Sequence, residues 1–433
     1  YYKMSEIIKK DKQYVWHPFT QMQTAPDSIE IVTAKDALLI GDDGKEYIDC
    51  NSSWWVNVHG HGNEHIANAI SEQFKKIDHV IFAGFTHAKA VELAERVVHL
   101  LPEPLKKVFF SDNGSTAVEV ALKMVVQYWH NLDEPKRRIL ALDGAYHGDT
   151  FGAMAVGQRG YFNAPFEAFF FDVDFLDFPT EENEQEQLIY AEKLFQTNEF
   201  AAVIVEPLIQ GSSGMRTYSS SFLNSLVNLA KKYKVLAIFD EVMTAWGRTG
   251  KLFAMNHCTV IPDIVCLSKG ITGGVLPLGL TVATNEIYKA FLSKDKSKAL
   301  LHGHSFTGNA LSCAAACASL DLFEKESTWK DIKRIEQANL AFQASIQNNK
   351  AVFETRVLGT ILAIELETGE GNTYFSDVRD LAYSYFLEQG FLIRPLGNVI
   401  FINPPYCISD EQLASIYKAF DSFLTIIEKE KAI

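Results

Sequence analysis

Through the middle of the chain, short apolar runs alternate with longer stretches in which apolar residues recur at helical spacing. The runs are VFFSD (108–112), the start of RILALDGAYHGDT (138–150), AAVIVEP (201–207), VLAIFDE (235–241) and DIVCLSK (263–269). Each is close to continuously apolar, the mark of a strand covered on both faces. STAVEVALKMVVQYWH (115–130) and SSFLNSLVNLAKKYK (220–234) carry the helical pattern. This alternation predicts an α/β fold built on a mostly parallel sheet. The ends differ, mixing short strands with helices. Residues 1–60 and 325–433 are expected to form one small α+β domain, packed on a large domain of residues 61–324.

Composition narrows the function classes. The chain has 433 residues and is 47% apolar, long for a single core and in keeping with two domains. Its net charge of −14 argues against nucleic acid or an anionic membrane as the main partner. No apolar run is long enough to span a bilayer, and YYKMSEIIKKDKQYVW at the start has no signal-peptide core. Six scattered cysteines without a CxxC read as reduced thiols. A cytoplasmic protein is expected. Cys313 and Cys317, four apart in an alanine-rich stretch, read as core packing rather than a metal pair.

In a parallel sheet the chemistry belongs at the carboxyl ends of the strands, and four ends carry marked residues. SDNGSTAVE (111–119) stops a strand and opens a helix at Gly114-Ser115, where free N–H groups suit a phosphate. Ordinary N-capping explains the same residues. There is neither a P-loop nor a GxGxxG fingerprint. GAYHGDT (144–150) offers Tyr146 as a stacking ring, or simply a packed turn. Asp240 closes VLAIF, and Glu206 ends its own run in the same way; buried carboxylates there need a cationic or hydrogen-bonding partner. A protonated pyridine nitrogen would serve, as would an ordinary ion pair. Lys269 stands where a strand should stop, just before a glycine-rich loop. It reads as a solvated strand end or as an amine with a depressed pKa, fit for Schiff-base chemistry. Singly these signals are weak. Together they are the parts of a pyridoxal phosphate site, with the glycines expected to let the loop backbone approach the cofactor.

FDEVMTAWGRTGKLFAMNH, PDIVCLSKGITGG and HGHSFTGNALSCAAA together resemble the signature of the class III aminotransferases, nearly end to end. The resemblance implies the fold type I architecture, pyridoxal 5'-phosphate and a homodimer with shared active sites. WHPFTQM (16–22), NSSWWVNVHGH (51–61), YHGDTFGAM (146–154) and RPLGNVIFINPPY (394–406) resemble the members that aminate 8-amino-7-oxononanoate in biotin biosynthesis, usually with S-adenosylmethionine as donor. On this resemblance Lys269 is the Schiff-base lysine and the proton carrier. Asp240 holds the pyridine nitrogen, with Glu206 nearby, and Gly114 and Ser115 bind phosphate. Tyr146 stacks near the ring and touches substrate. Ser305 reaches the phosphate from the partner subunit, beside Gly303 and His304. Phe19, Trp54 and Trp55 line the substrate channel, and Arg394 pairs with the far carboxylate through its two-pronged fork.

Three positions depart from the family pattern. Phe19 replaces a common tyrosine, which leaves the donor open between S-adenosylmethionine and lysine. Ser305 replaces threonine and keeps the hydroxyl. Ala310 stands where proline is frequent. Other readings stay in view. An ω-amino acid aminotransferase or an aminomutase would use the same Lys269 and Asp240, and a cofactor-binding protein without catalysis is a third class. On a strand, Trp54 and Trp55 would face opposite ways, so at least one would only pack. Arg394 alone would read as a surface ion pair. HGHGNEH (59–65) has histidines and a glutamate, but the spacing fits no zinc pattern and its glycines suggest a turn.

Overall fold

The five apolar runs are strands of one sheet. In this computed structural model, which describes residues 5–368 and 377–430, that sheet has seven strands. They are β1 (Leu105–Ser111), β2 (Arg138–Leu142), β3 (Val173–Leu176), β4 (Phe200–Val205), β5 (Leu236–Asp240), β6 (Ile264–Leu267) and β7 (Gly279–Thr284). The spatial order is β1-β7-β6-β5-β4-β2-β3. The neighbours from β6 through β3 are parallel, and β7 runs antiparallel between β6 and β1. The strands other than β7 therefore deliver their carboxyl ends to one edge.

The continuous apolar runs have a direct cause. Along β5, Ala237 and Phe239 join one core cluster with Phe222, Leu223 and Leu226 of α2 (Ser220–Lys232). Ile238, between them, joins the other cluster with Val118, Ala121 and Val125 of α1 (Gly114–Asn131). Both faces are covered, so alternation disappears from the sequence.

Two strands escaped the pattern. β3 is a four-residue edge strand whose burial is only partial. β7, GLTVAT, carries glycine and threonines yet is buried throughout. The Thr281 hydroxyl donates to the Ala117 carbonyl at 2.7 Å, so a polar residue sits in the core with its hydrogen bond made.

The chain ends meet. Ile31–Lys35, Leu38–Gly41 and Glu46–Asp49 form a sheet with Phe391–Leu392, which pairs in parallel with the third of them. Val352–Leu358, Ile361–Leu366 and Val399–Ile402 form an antiparallel sheet. Residues 1–4, 369–376 and 431–433, parts of the two end segments, lie outside the described residues.

Trp54 and Trp55 are not on a strand. Ser52, Ser53, Trp54 and Trp55 all have positive φ, at 49°, 45°, 74° and 72°. They make one left-handed turn, closed by Trp55 N–H to the Asn51 carbonyl at 2.8 Å and Val56 N–H to the Ser52 carbonyl at 2.9 Å. Left-handed conformation costs roughly 1–2 kcal/mol for each non-glycine residue. Four in succession must be held by their surroundings.

Candidate active site

The carboxyl edge of the sheet opens into a cavity of about 430 Å³. Lys269 enters it from the turn after β6. The lysine has φ 49°, in the left-handed region. Hydrogen bonds pin the residue before it: Trp246 Nε1–H donates to the Ser268 carbonyl at 3.2 Å, and the Ser268 hydroxyl donates to the Leu278 carbonyl at 2.6 Å. The residue is half-buried, and its amine lies 4.5 Å from the centre of the Trp55 ring. Among the described residues no hydrogen-bond or ion-pair partner reaches Nζ. Burial pulls its pKa from 10.5 down to about 8; the charges of Asp240 and Glu206 oppose this, and Arg248 adds to it. The amine is thus ready to lose its proton near neutral pH.

The loop after it lines the cavity through Gly274, Val275 and Leu276, and its glycines also make close contacts behind it. A Cβ on Gly274, at φ 81°, would lie 2.6 Å from the carbonyl carbon of Val56. One on Gly270 would meet Val58 at 3.0 Å. The loop is glycine-rich so that it can seat against the segment following the tryptophan turn.

Asp240, the last residue of β5, lines the same cavity. Its Oδ2 accepts from His147 Nδ1 at 2.7 Å and its Oδ1 from the Val242 N–H at 3.0 Å. His147 thus has a role that the motif GAYHGDT does not signal. Nothing in the sequence signals that the loop after β2 folds back over the end of β5. His147 is buried, and its Nε2 has no partner among the described residues.

Glu206 lines the cavity too, but both its oxygens accept backbone N–H groups, Tyr146 at 2.9 Å and Gly211 at 2.9 Å. It fixes two loops at the cavity wall. Burial raises its pKa to about 7, with His147 opposing and Asp240 assisting. Tyr146 lines the cavity and donates its hydroxyl to Asp149 at 2.8 Å.

Opposite lies the start of α1. Asn113 and Thr116 form a reciprocal capping box, which satisfies the Thr116 N–H and leaves those of Gly114 and Ser115 without partners among the described residues. A Cβ on Gly114 would come within 2.6 Å of Val242 Cγ1, so the cradle fits only glycine there. An acceptor-rich group at this end of the helix would meet free donors and the positive end of the helix dipole.

The remaining expected residues divide into two groups. Phe19, Trp54 and Arg394 sit together outside the cavity lining. The Phe19 ring meets Trp54 edge-on at 5.3 Å, and the Arg394 guanidinium lies 5.2 Å from the Trp54 ring. Trp54 is 44% exposed and Trp55 only 7%. The adjacent rings therefore serve two walls, Trp55 beside Lys269 and Trp54 beside Arg394. Gly303, His304 and Ser305 are not brought to this cavity. The Ser305 carbonyl accepts from His79 at 2.6 Å, and Gly303 and Ser305 are exposed. Arg248, which the sequence reading left without a role, is buried, donates to the carbonyls of Asn403 and Pro404, and faces the Tyr406 ring.

The histidines of HGHGNEH each have a partner: His59 with Ser319, His61 with Asp49, His65 with Asp321.

The family described as aminotransferase class III matches residues 20–424. A relative from Synechococcus elongatus named adenosylmethionine-8-amino-7-oxononanoate aminotransferase is 47% identical, covering 95% of this chain and 98% of the relative. One of the same name from Staphylococcus aureus is 36% identical, covering 96% of each. Among solved structures, adenosylmethionine-8-amino-7-oxononanoate aminotransferase from Methanocaldococcus jannaschii superposes with a TM-score of 0.91 at 35% identity, covering 96% of this chain and 98% of that one. A transaminase from a marine Virgibacillus gives 0.91 at 28% identity, covering 98% of this chain and all of that one.

Proposed function

The chain belongs to the class III aminotransferases, and from that premise we propose that it converts 8-amino-7-oxononanoate to 7,8-diaminononanoate in biotin biosynthesis, with S-adenosylmethionine as amino donor. It is a pyridoxal-phosphate-dependent transaminase of fold type I. The observation that carries the reading is the meeting, in one cavity, of a desolvated amine without a partner among the described residues, a fixed carboxylate and an open helix N-terminus.

These residues fit the cofactor. Lys269 would bond its aldehyde, Asp240 its ring nitrogen, and the N–H groups of Gly114 and Ser115 its phosphate, with Tyr146 at the ring. When bound, pyridoxal phosphate supplies a ring that draws electrons from the substrate carbon and carries the amino group between two half-reactions. The protein does the rest. His147 and the Val242 N–H hold Asp240 in place, where its charge would favour a protonated ring nitrogen. Lys269 would serve as the base that takes the proton from the substrate carbon. The Trp55 ring faces the amine from one side. Arg394, beside Trp54, is placed to take the carboxylate at the far end of the keto acid.

Phe19 favours a second donor as the alternative. It presents no hydroxyl beside Trp54, so lysine in place of S-adenosylmethionine is kept as the second reading. A homodimer with shared sites is supported by the segment around Gly303, His304 and Ser305. It stands away from its own chain's cavity, with Leu301 and Phe306 exposed on either side. A cytoplasmic location is supported by the free thiols of Cys50, Cys266 and Cys313 in the core.

The test is the absorbance of the cofactor-loaded protein on separate addition of diaminononanoate, S-adenosylmethionine and lysine. Diaminononanoate should remove the lysine-bound cofactor band, and so should the true donor. A band untouched by diaminononanoate but lost with another ω-amine would place the chain among class III enzymes of different substrate.

A further inference from the structure

We propose that Asp49 is a positioning residue for the substrate walls: through Ser53 and His61 it holds the left-handed turn that sets Trp55 beside Lys269 and Trp54 beside Arg394. The proposal rests on the functional reading above and deepens it.

Asp49 ends a strand of the four-stranded sheet and is fully buried. Three donors converge on its carboxylate. The Ser53 N–H reaches Oδ1 at 2.8 Å, the Ser53 hydroxyl reaches Oδ2 at 2.6 Å, and His61 Nε2 reaches Oδ2 at 2.9 Å. Asn57 orients His61 from the other side, donating to Nδ1 at 3.0 Å, and its own oxygen accepts from the Gly60 N–H at 2.7 Å. One carboxylate thus ties the start of the loop at Ser53 to its end at His61. Asn51 adds the link to the far wall. It donates to the Phe401 carbonyl at 3.0 Å and accepts from the Arg394 N–H at 2.7 Å. The turn and the arginine backbone share one anchor.

The strain argues for function. Glycine would adopt the left-handed conformation freely, yet none of the four turn residues is glycine. Two are the tryptophans of the walls. A relaxed turn would still join strand to loop, but it would swing both rings. Strained backbone persists where its neighbours over-determine it, and the neighbours here are Asp49, the Ser52 hydroxyl bond to the Asn403 carbonyl at 2.7 Å, and the packing of Trp55 on Phe401.

The test compares wild type, Asp49→Asn and Ser53→Ala as holoenzymes. An amide has one acceptor oxygen where the carboxylate has two, so it cannot take all three donors, and the alanine removes only one hydroxyl. The keto-acid KM should rise about tenfold in D49N and about threefold in S53A, in each case by more than kcat falls, because the bonds of Asp240 and the start of α1 are kept while the two rings move. Unchanged KM in both variants overturns the proposal. So does a fall in kcat and melting temperature with KM unmoved, which is what a merely structural aspartate would give. Should D49N fail to fold, S53A decides on its KM alone. Should wild type itself not aminate the keto acid, the functional reading fails and the turn is read directly. The Trp54 share of acrylamide quenching, taken as wild type minus W54F, must then change in S53A; an unchanged share overturns the proposal.

Discussion

Adjacent acids at the end of β5 show how much a single residue's direction decides. Asp240 faces the cavity with His147 at its back. Glu241 turns the other way and accepts the backbone N–H groups of Ala254 and Met255 at 2.9 and 2.7 Å. The sequence shows a carboxylate at a strand end, and alternation along the strand separates the two. Lys269 was legible for the same reason, as a charge where an apolar strand stops. Its burial gives a pH prediction. Its pKa is lowered, so the neutral amine gains on an ordinary lysine as pH rises through about 8 rather than 10.5. In cofactor-free protein, labelling of Lys269 by an amine-selective reagent should rise with a midpoint near pH 8. A midpoint near that of surface lysines would mean the amine is neither buried nor desolvated in solution. Lys269→Ala should lower turnover by roughly 10²–10⁴-fold from lost proton transfer alone, with the melting curve intact. Substantial residual transamination would remove Lys269 from the mechanism.

Elements were legible where pattern and environment agree. β5 and β6 are covered on both faces and read as apolar runs. β7 is buried just as deeply, but its threonines bond to neighbouring backbone, and no periodicity reveals that. The tryptophan turn was illegible for a different reason: four left-handed residues without glycine contradict local preference, and only the tertiary anchors around Asp49, Asn51 and Asn403 hold them. The glycine-rich loop after Lys269 lines the cavity, and its glycines pack closely on Val56 and Val58, a contact that composition alone does not reveal. This contact is open to test. Gly274→Ala adds a Cβ against the Val56 backbone at a positive φ, so it should destabilise by about 1–3 kcal/mol. It should also weaken cofactor retention, measured by dialysis and absorbance. A melting temperature equal to wild type would show that the loop does not need this close approach.

At the scale of the molecule, the sheet directs its strand ends to one edge, and the chain ends pair with each other beside it. Gly303, His304 and Ser305 find no place in that cavity, as a shared-site dimer would require. Sedimentation should then give twice the chain mass of 48.6 kDa at micromolar concentration. An active species at the mass of one chain would leave Ser305 without its proposed phosphate. The central claim is the reaction itself, and it is tested most directly by mass spectrometry of the cofactor-loaded enzyme given 8-amino-7-oxononanoate with S-adenosylmethionine, and in parallel with nitrogen-labelled lysine. The first mixture should give many turnovers of 7,8-diaminononanoate. Product only in the second, carrying the label, would keep the reaction and replace the donor. No diaminononanoate in either mixture, from enzyme that still transaminates another acceptor, would contradict the account.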